Sequence, residues 1–289
     1  MKDRKSAFNL ADELWQLLKT NRAPWQVTWG PEDAPGRARN ITSDHQYRGG
    51  NAFWLMMVSA SNGWTNEWVS YAEMAKLGGN VKGQSATKIE IPMFKKKKDP
   101  VTGDEKETLT GFRAGVIFNI AQVDGVELPS KEAPKLVESV SAVLMMQDRL
   151  KEKGVKFIEN AGNGCSYDSL TDTVEMPNRG CFDNAYEYYA QLAHEMAHAT
   201  MSYGRVEREP VSYAYEELRA EMASALICSS LRLPRTQNHI DNHASFMQAW
   251  LEEFADKKGQ LLKAASEAQQ IHDYLMELAQ VKEEELLAA

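Results

Sequence analysis

The sequence predicts an α+β protein of two domains, an N-terminal α/β domain over 1–128 and a C-terminal domain over 129–289. Three observations carry this. Charge divides unevenly: residues 1–128 hold 17 Lys+Arg and 15 Asp+Glu, net +2, whereas residues 129–289 carry net −10 within an overall −8. Residues 126–136 contain Pro129, Pro134 and several charges, and read as a linker. The first half pairs an uninterrupted apolar run with two strand-like segments, while the second sets three short strands before long helical patterns.

Residues 6–20 form an amphipathic helix, with Phe8, Leu10, Leu14, Trp15, Leu17 and Leu18 near helical spacing. Residues 21–50, rich in Pro, Gly, Asn and Arg, read as loop. Residues 51–60 fit a buried helix or a buried strand, and periodicity does not choose between them. Ser70 caps a short helix through Lys76, closed by Gly78 and Gly79. Residues 86–94 and 112–120 read as strands, separated by a polar loop, 95–109, that holds the run Lys95-Lys96-Lys97-Lys98. In the second half come a helix at 135–152, strands near 155–159, 165–169 and 173–176, and a helix capped by Asp183 or Asn184 that runs to Gly204. Another helix follows at 211–231, and helix then extends from about 240 to the end.

Composition excludes several classes. With 43% hydrophobic and 26% charged residues the chain is of ordinary globular type. Three widely spaced cysteines, Cys165, Cys181 and Cys228, fit no disulfide framework and suit a reducing cytoplasm. The charged N-terminus is no signal peptide, and no run approaches the roughly 18 apolar residues of a membrane span. The expectation is a cytoplasmic protein with no membrane partner.

The chemistry concentrates in His194-Glu195-Met196-Ala197-His198. Histidines four apart on a helix stand one turn apart on one face, able to share a tetrahedral metal. Glu195 is rotated about 100° from His194, placed to take a proton from a water that the metal acidifies. The small, apolar residues around the histidines bury this helix, and buried histidines beside a carboxylate need partners. A third ligand comes from the next helix, where Glu217 and Glu221 lie one turn apart. We assign Glu217 to the metal and Glu221 to a hydrogen bond that orients a ligand histidine, with the reverse as the alternative. Glu216 reads as a solvated-face residue. Tyr215 and His243 are candidates to polarise the substrate carbonyl. The strand near 173–176 is a candidate edge for an extended peptide.

Six of the seven tryptophans precede residue 70. Trp15 and Trp54 read as core. Trp25, Trp29, Trp64 and Trp68 sit in or beside loops, interleaved with Arg39, Arg48, Lys82 and Lys88, as stacking on single-stranded DNA requires.

With these residues placed, the chain resembles the ArdC-type antirestriction proteins of plasmids and related mobile elements. Asn40-Ile-Thr, Tyr47-Arg48-Gly49-Gly50-Asn51, Tyr71 to Gly83 and Phe118-Asn119-Ile-Ala-Gln122 are similar to the family's single-stranded-DNA-binding domain, also found at the start of some plasmid primases. Met176-Pro177, the paired histidines, Tyr215 to Glu221 and Asn242-His243-Ala resemble its zincin-like peptidase domain. The lysine run at 95–98 departs from the family pattern as an insertion. The resemblance implies DNA contacts at Asn40, Tyr47, Arg48 and Asn51, and protection of incoming DNA from restriction.

The sequence therefore points to a protein that binds single-stranded DNA and carries a zinc peptidase site, with Mn2+ as another acceptable ion. Its substrate would be a protein met on that DNA. The rival from another class is a non-catalytic protein that masks DNA from nucleases around a structural or idle metal site. A nuclease is a weaker third reading, since single-zinc sites of this spacing are mainly peptidase sites.

Overall fold

The computed structural model describes residues 8–20, 36–98, 105–126, 136–160, 162, 164–182, 184–202, 204–233, 249–250 and 252–280. The boundary at 128/129 and most of the linker fall outside these, as do Trp25, Trp29 and His243.

Helix α1, Leu10–Lys19, starts where the Asn9 side chain accepts from the Asp12 amide at 3.1 Å, and it buries Leu10, Leu14, Trp15 and Leu18. The ambiguous apolar run is a helix, α2, Gly49–Asn62, closed by Gly63 in the left-handed region at φ 66°. Its lack of periodicity has a physical cause. Leu55 packs on the N-terminal sheet while Phe53, Met56 and Met57 enter a second core, so the helix is apolar on two sides. Helix α3, Tyr71–Lys76, opens with a reciprocal cap between Ser70 and Glu73.

The N-terminal sheet has the order β1-β2-β4-β3, from β1 Arg39–Asn40, β2 Glu67–Ser70, β3 Thr87–Lys98 and β4 Glu105–Asn119. Only β1 and β2 run parallel. The lysine run, expected in a loop, is strand: Lys95 to Lys98 stay in register with Thr108 to Glu105. Each of these lysines except Lys97 faces a neutral or acidic residue across the ladder, so the backbone pairing extends without a stack of like charges.

In the second half, α4, Leu136–Glu152, precedes a sheet of order β5-β7-β6, with β5 Lys156–Asn160, β6 Ser166–Asp168 and β7 Thr173–Pro177. β7 is central, paired with β5 on one side and β6 on the other, so it cannot offer the free edge expected of 173–176. Helix α5, Ala185–Ala199, is capped by Asn184. It ends before the Gly204 stop that the sequence suggested. Helix α6, Tyr213–Ser230, is capped by Ser212, and α7 spans Gly259–Leu278. No helix among the described residues is long and apolar enough to cross a membrane.

One large apolar cluster joins both halves. Leu14 and Trp15 of α1 and Phe53 and Met56 of α2 share it with Met146, Met196, Leu218 and Ile271 from α4, α5, α6 and α7. A smaller cluster, Ala38, Tyr47, Leu55, Trp68, Ile89 and Ile117, lies under the N-terminal sheet.

Trp68 corrects the sequence reading. It lies in β2, fully buried, and its indole nitrogen donates to Asn66 Oδ1 at 2.8 Å. A base has no access to either ring face. Trp68→Ala is therefore expected to cost about 3–5 kcal/mol of stability, read as a lowered urea midpoint.

Candidate metal centre

Helix α5 carries His194, Glu195 and His198, and α6 packs against it with Glu216, Glu217 and Glu221. All six side chains are buried. The Nε2 atoms of His194 and His198 face each other at 3.1 Å. Glu217 spans them, with Oε2 at 3.6 Å from His194 Nε2 and Oε1 at 3.6 Å from His198 Nε2.

On their other side each imidazole meets a carboxylate. His194 Nδ1 lies 3.1 Å from Glu221 Oε1, and His198 Nδ1 lies 3.3 Å from Glu216 Oε1. A carboxylate accepts, so these contacts place the ring protons on Nδ1 and leave lone pairs on both Nε2 atoms. Two nitrogen lone pairs and a carboxylate then converge on one point. That arrangement repels itself unless a cation sits between them. The spacing fits: a tetrahedral ion with bonds of about 2.0–2.1 Å separates neighbouring ligand atoms by about 3.3–3.4 Å. His194, His198 and Glu217 are the group, among the described residues, whose donor atoms all lie within 4.8 Å of one another.

The electrostatics favour positive charge at this point. Burial pulls the His194 pKa down, but Glu221, Glu217 and Glu195 hold it well above its ordinary value. His198 behaves likewise: burial opposes, and hydrogen bonds to Glu216 and Glu217 win. Burial pushes the Glu217 carboxyl up, yet the two imidazoles hold it well below the usual carboxylate range.

The site floors a cavity of about 480 Å³. Glu195 lines it, one carboxylate oxygen accepting from the Gln191 side-chain amide at 2.9 Å. Edge strand β6 contributes Ser166 and Tyr167 to the wall, the position the sequence reading gave to residues 173–176.

Two assignments change. Tyr215 is buried, packed on Phe254 with the Arg219 guanidinium over its ring, and it does not line the cavity. The phenol at the cavity is Tyr213, one residue inside the helix start. It is 70% exposed, but its hydroxyl bonds Glu217; partial burial and the charge of Glu217 push its pKa up to about 12. Glu216 is not solvated. Besides His198 it binds Arg208 at 2.9 Å and Arg219, and Arg219 reaches on to Glu267 of α7 at 2.9 Å. The signal for this was the composition of α6, which is buried all round from Tyr215 to Ser229 and so has no solvated face to assign.

The N-terminal candidates are mostly committed to the fold. Arg39 is buried and paired with Glu67 and Asp44. Asn40 turns its carbonyl to the Thr42 amide at 2.9 Å and its amide to Glu73 at 2.8 Å. Asn51 exchanges two hydrogen bonds with the Glu90 backbone, pinning α2 to edge strand β3. Tyr47 is buried, and that burial pushes its phenol up to about 12. These four are corrections, since groups satisfied inside the fold are not offered to a phosphate or a base. Arg48 is exposed but ion-paired with Asp273 of α7. Lys82 and Lys88 are exposed, and Trp64 is half-buried.

Residues 5–118 match the family described as the N-terminal domain of anti-restriction factor ArdC, and residues 145–267 match the zincin-like metallopeptidase family. Two DNA primases TraC of Escherichia coli are 32% and 29% identical over 96% and 97% of this chain. The chain spans only 20% and 28% of their lengths. An uncharacterised protein, y4eC of Sinorhizobium fredii, is 30% identical, with 88% of this chain and 84% of that one covered. Among solved structures, the antirestriction protein ArdC from plasmid R388 superposes in a metal-free form at TM-score 0.71, 27% identical over 94% of this chain and 96% of that one. Its Mn(II)-bound form gives 0.68 at 25% identity, over 93% and 96%.

Arg219 is 2% exposed and separates Glu216 from Glu267. Arg219→Met should lower stability by about 3–5 kcal/mol by leaving buried carboxylates unpaired, measured by chemical denaturation.

Proposed function

Because the chain belongs to the ArdC-type antirestriction family, with a zincin-like domain behind its N-terminal domain, we propose that it binds single-stranded DNA and hydrolyses a peptide bond in a protein met there. The convergence of His194 Nε2, His198 Nε2 and a Glu217 carboxylate oxygen beside Glu195, at the floor of an open cavity, carries the reading. These three side chains hold a divalent metal, zinc by the preference of a two-nitrogen, one-oxygen set for that ion; Mn2+ is the alternative that the R388 relative binds.

A divalent cation there supplies Lewis acidity, polarising a carbonyl and lowering the pKa of water. The chain's own groups do the rest. Glu195, steadied by Gln191, accepts the proton of the attacking water and returns it to the departing amine. The Tyr213 hydroxyl donates to the carbonyl oxygen as negative charge develops on it. Glu221 and Glu216 keep the two imidazoles in the tautomer and orientation that present Nε2. An extended substrate lies along β6, pairing with the edge that β7 leaves free. The protein acts in the cytoplasm, where incoming single strands meet restriction enzymes.

Purified protein should contain about one divalent metal per chain by elemental analysis, lost in His194→Ala or His198→Ala. Glu195→Gln should keep the metal and lose cleavage of DNA-bound proteins; undiminished cleavage would remove Glu195 from the mechanism. Tyr213→Phe should lower kcat by roughly 100-fold with metal content unchanged.

DNA binding is best tested on the whole chain, because α1 and α2 share a core with the C-terminal helices. The full-length protein should prefer an oligonucleotide over the same sequence as duplex at two salt concentrations. Equal affinities would mean that charge alone is at work.

A further inference from the structure

The N-terminal sheet has an open face with a composition unlike the rest of the surface. Residues directly opposite in a ladder share a face. By register, Pro92 pairs with Phe112, Lys88 with Val116, Phe94 with Leu109 and Val69 with Phe118. The irregularity between Met93 and Phe94 keeps Phe94 and Leu109 on the same side as Phe112 despite the odd spacing along β4. The opposite face carries Ile89, Ile117 and Trp68 under α2. On the first face, α3 covers the end at Val69 with Met74, and Tyr71 of α3 packs beside Phe118.

Beyond α3, this face is exposed among the described residues. Tyr71, Phe94, Leu109, Phe112 and Val116 are 58%, 55%, 47%, 53% and 50% exposed. They are five of the eleven exposed large apolar side chains among the described residues, gathered on one side of one sheet. A contiguous patch of this kind is a contact surface rather than scattered surface apolarity.

Charge indicates the contact. Strands β3 and β4 together hold seven Lys+Arg and three Asp+Glu, in a chain whose net charge is −8. One of those acids, Glu90, accepts from the Leu10 amide at 3.2 Å. Lys88 and Lys96 stand on the same face as the aromatic rings, with Glu107 opposite Lys96. Rings alternating with cations suit a single-stranded nucleic acid, whose bases offer flat apolar surfaces and whose backbone is a polyanion.

We propose that single-stranded DNA lies across this face, its bases stacking on Tyr71, Phe112 and Phe94 and its phosphates meeting Lys88 and Lys96. The proposal rests on the DNA-binding reading above and moves the contacts from tryptophans to the hairpin. Phe112 also borders a cavity of about 480 Å³ shared with Arg48 at the start of α2, which ends the stripe in a concave, basic-rimmed site.

The test uses full-length protein and a fluorescein-labelled dT20, followed by anisotropy. Tyr71→Ala and Phe112→Ala should each weaken binding by ~5- to 150-fold. Phe112→Tyr should stay near wild type, since a phenol still stacks, whereas Phe112→Leu should behave as the alanine variant. Ile158→Ala, an exposed apolar residue of the C-terminal sheet, should change nothing. Thermal melting checks that each variant is folded. If wild type binds dT20 and the double variant Tyr71→Ala/Phe112→Ala binds equally well, the face is wrong while DNA binding stands. If wild type itself fails to bind dT20, the DNA-binding reading fails and this proposal with it. Unchanged DNA affinity with loss of a dimer in sedimentation would assign the face to a second copy of the chain and overturn the proposal.

Discussion

Four carboxylates and two imidazoles are buried where α5 meets α6, and balancing their charge constrains much of the surrounding structure. Glu195, Glu216, Glu217 and Glu221 are each at most 7% exposed. Buried carboxylates left unpaired would cost several kcal/mol each. The compensation is distributed. The histidines answer Glu217 and Glu221. Arg208 and Arg219 answer Glu216, and Arg219 carries the chain of pairs to Glu267 on α7. The metal-binding geometry and the docking of α7 are thus one electrostatic arrangement.

Helix α7 makes the two family-matched segments a single packing problem. Its Glu267 faces the metal centre, while two residues on, Gln269 accepts from the Gly49 amide, and Asp273 pairs with Arg48. Leu262 crosses close over Gly50, where an added Cβ would come within 2.6 Å of its side chain. Only glycine allows that approach without displacing Leu262. The Tyr47–Asn51 motif is accordingly an architectural joint. Its members hold α2 to β3 and to α7, and leave the open sheet face elsewhere.

The use of aromatic residues follows from area. Tryptophan buries a large apolar surface, and in this small sheet Trp68 contributes more as core than as an exposed platform. Its polar edge is satisfied by Asn66, and that of half-buried Trp54 by the Lys88 carbonyl at 2.8 Å. The exposed rings are those of Tyr71, Phe94 and Phe112, whose direction the pleat and α3 set.

What the sequence determined by itself was whatever lies within one element. Histidines four apart on a helix share a face because the helix repeats every 3.6 residues, and the same arithmetic aligns Glu217 with Glu221. Caps at Asn9, Ser70, Asn184 and Ser212 are equally local, as side chains bond amides two or three residues on. Tertiary structure decided every relation between elements. It placed Glu216 against His198 rather than in water, put Tyr213 at the cavity in place of Tyr215, and made β6 rather than β7 the free edge. It also drew Arg39, Asn40 and Asn51 into the fold. The physical reason is that a residue's periodicity records which side of its own helix or strand it occupies, whereas what lies against that side depends on packing between segments far apart in the chain.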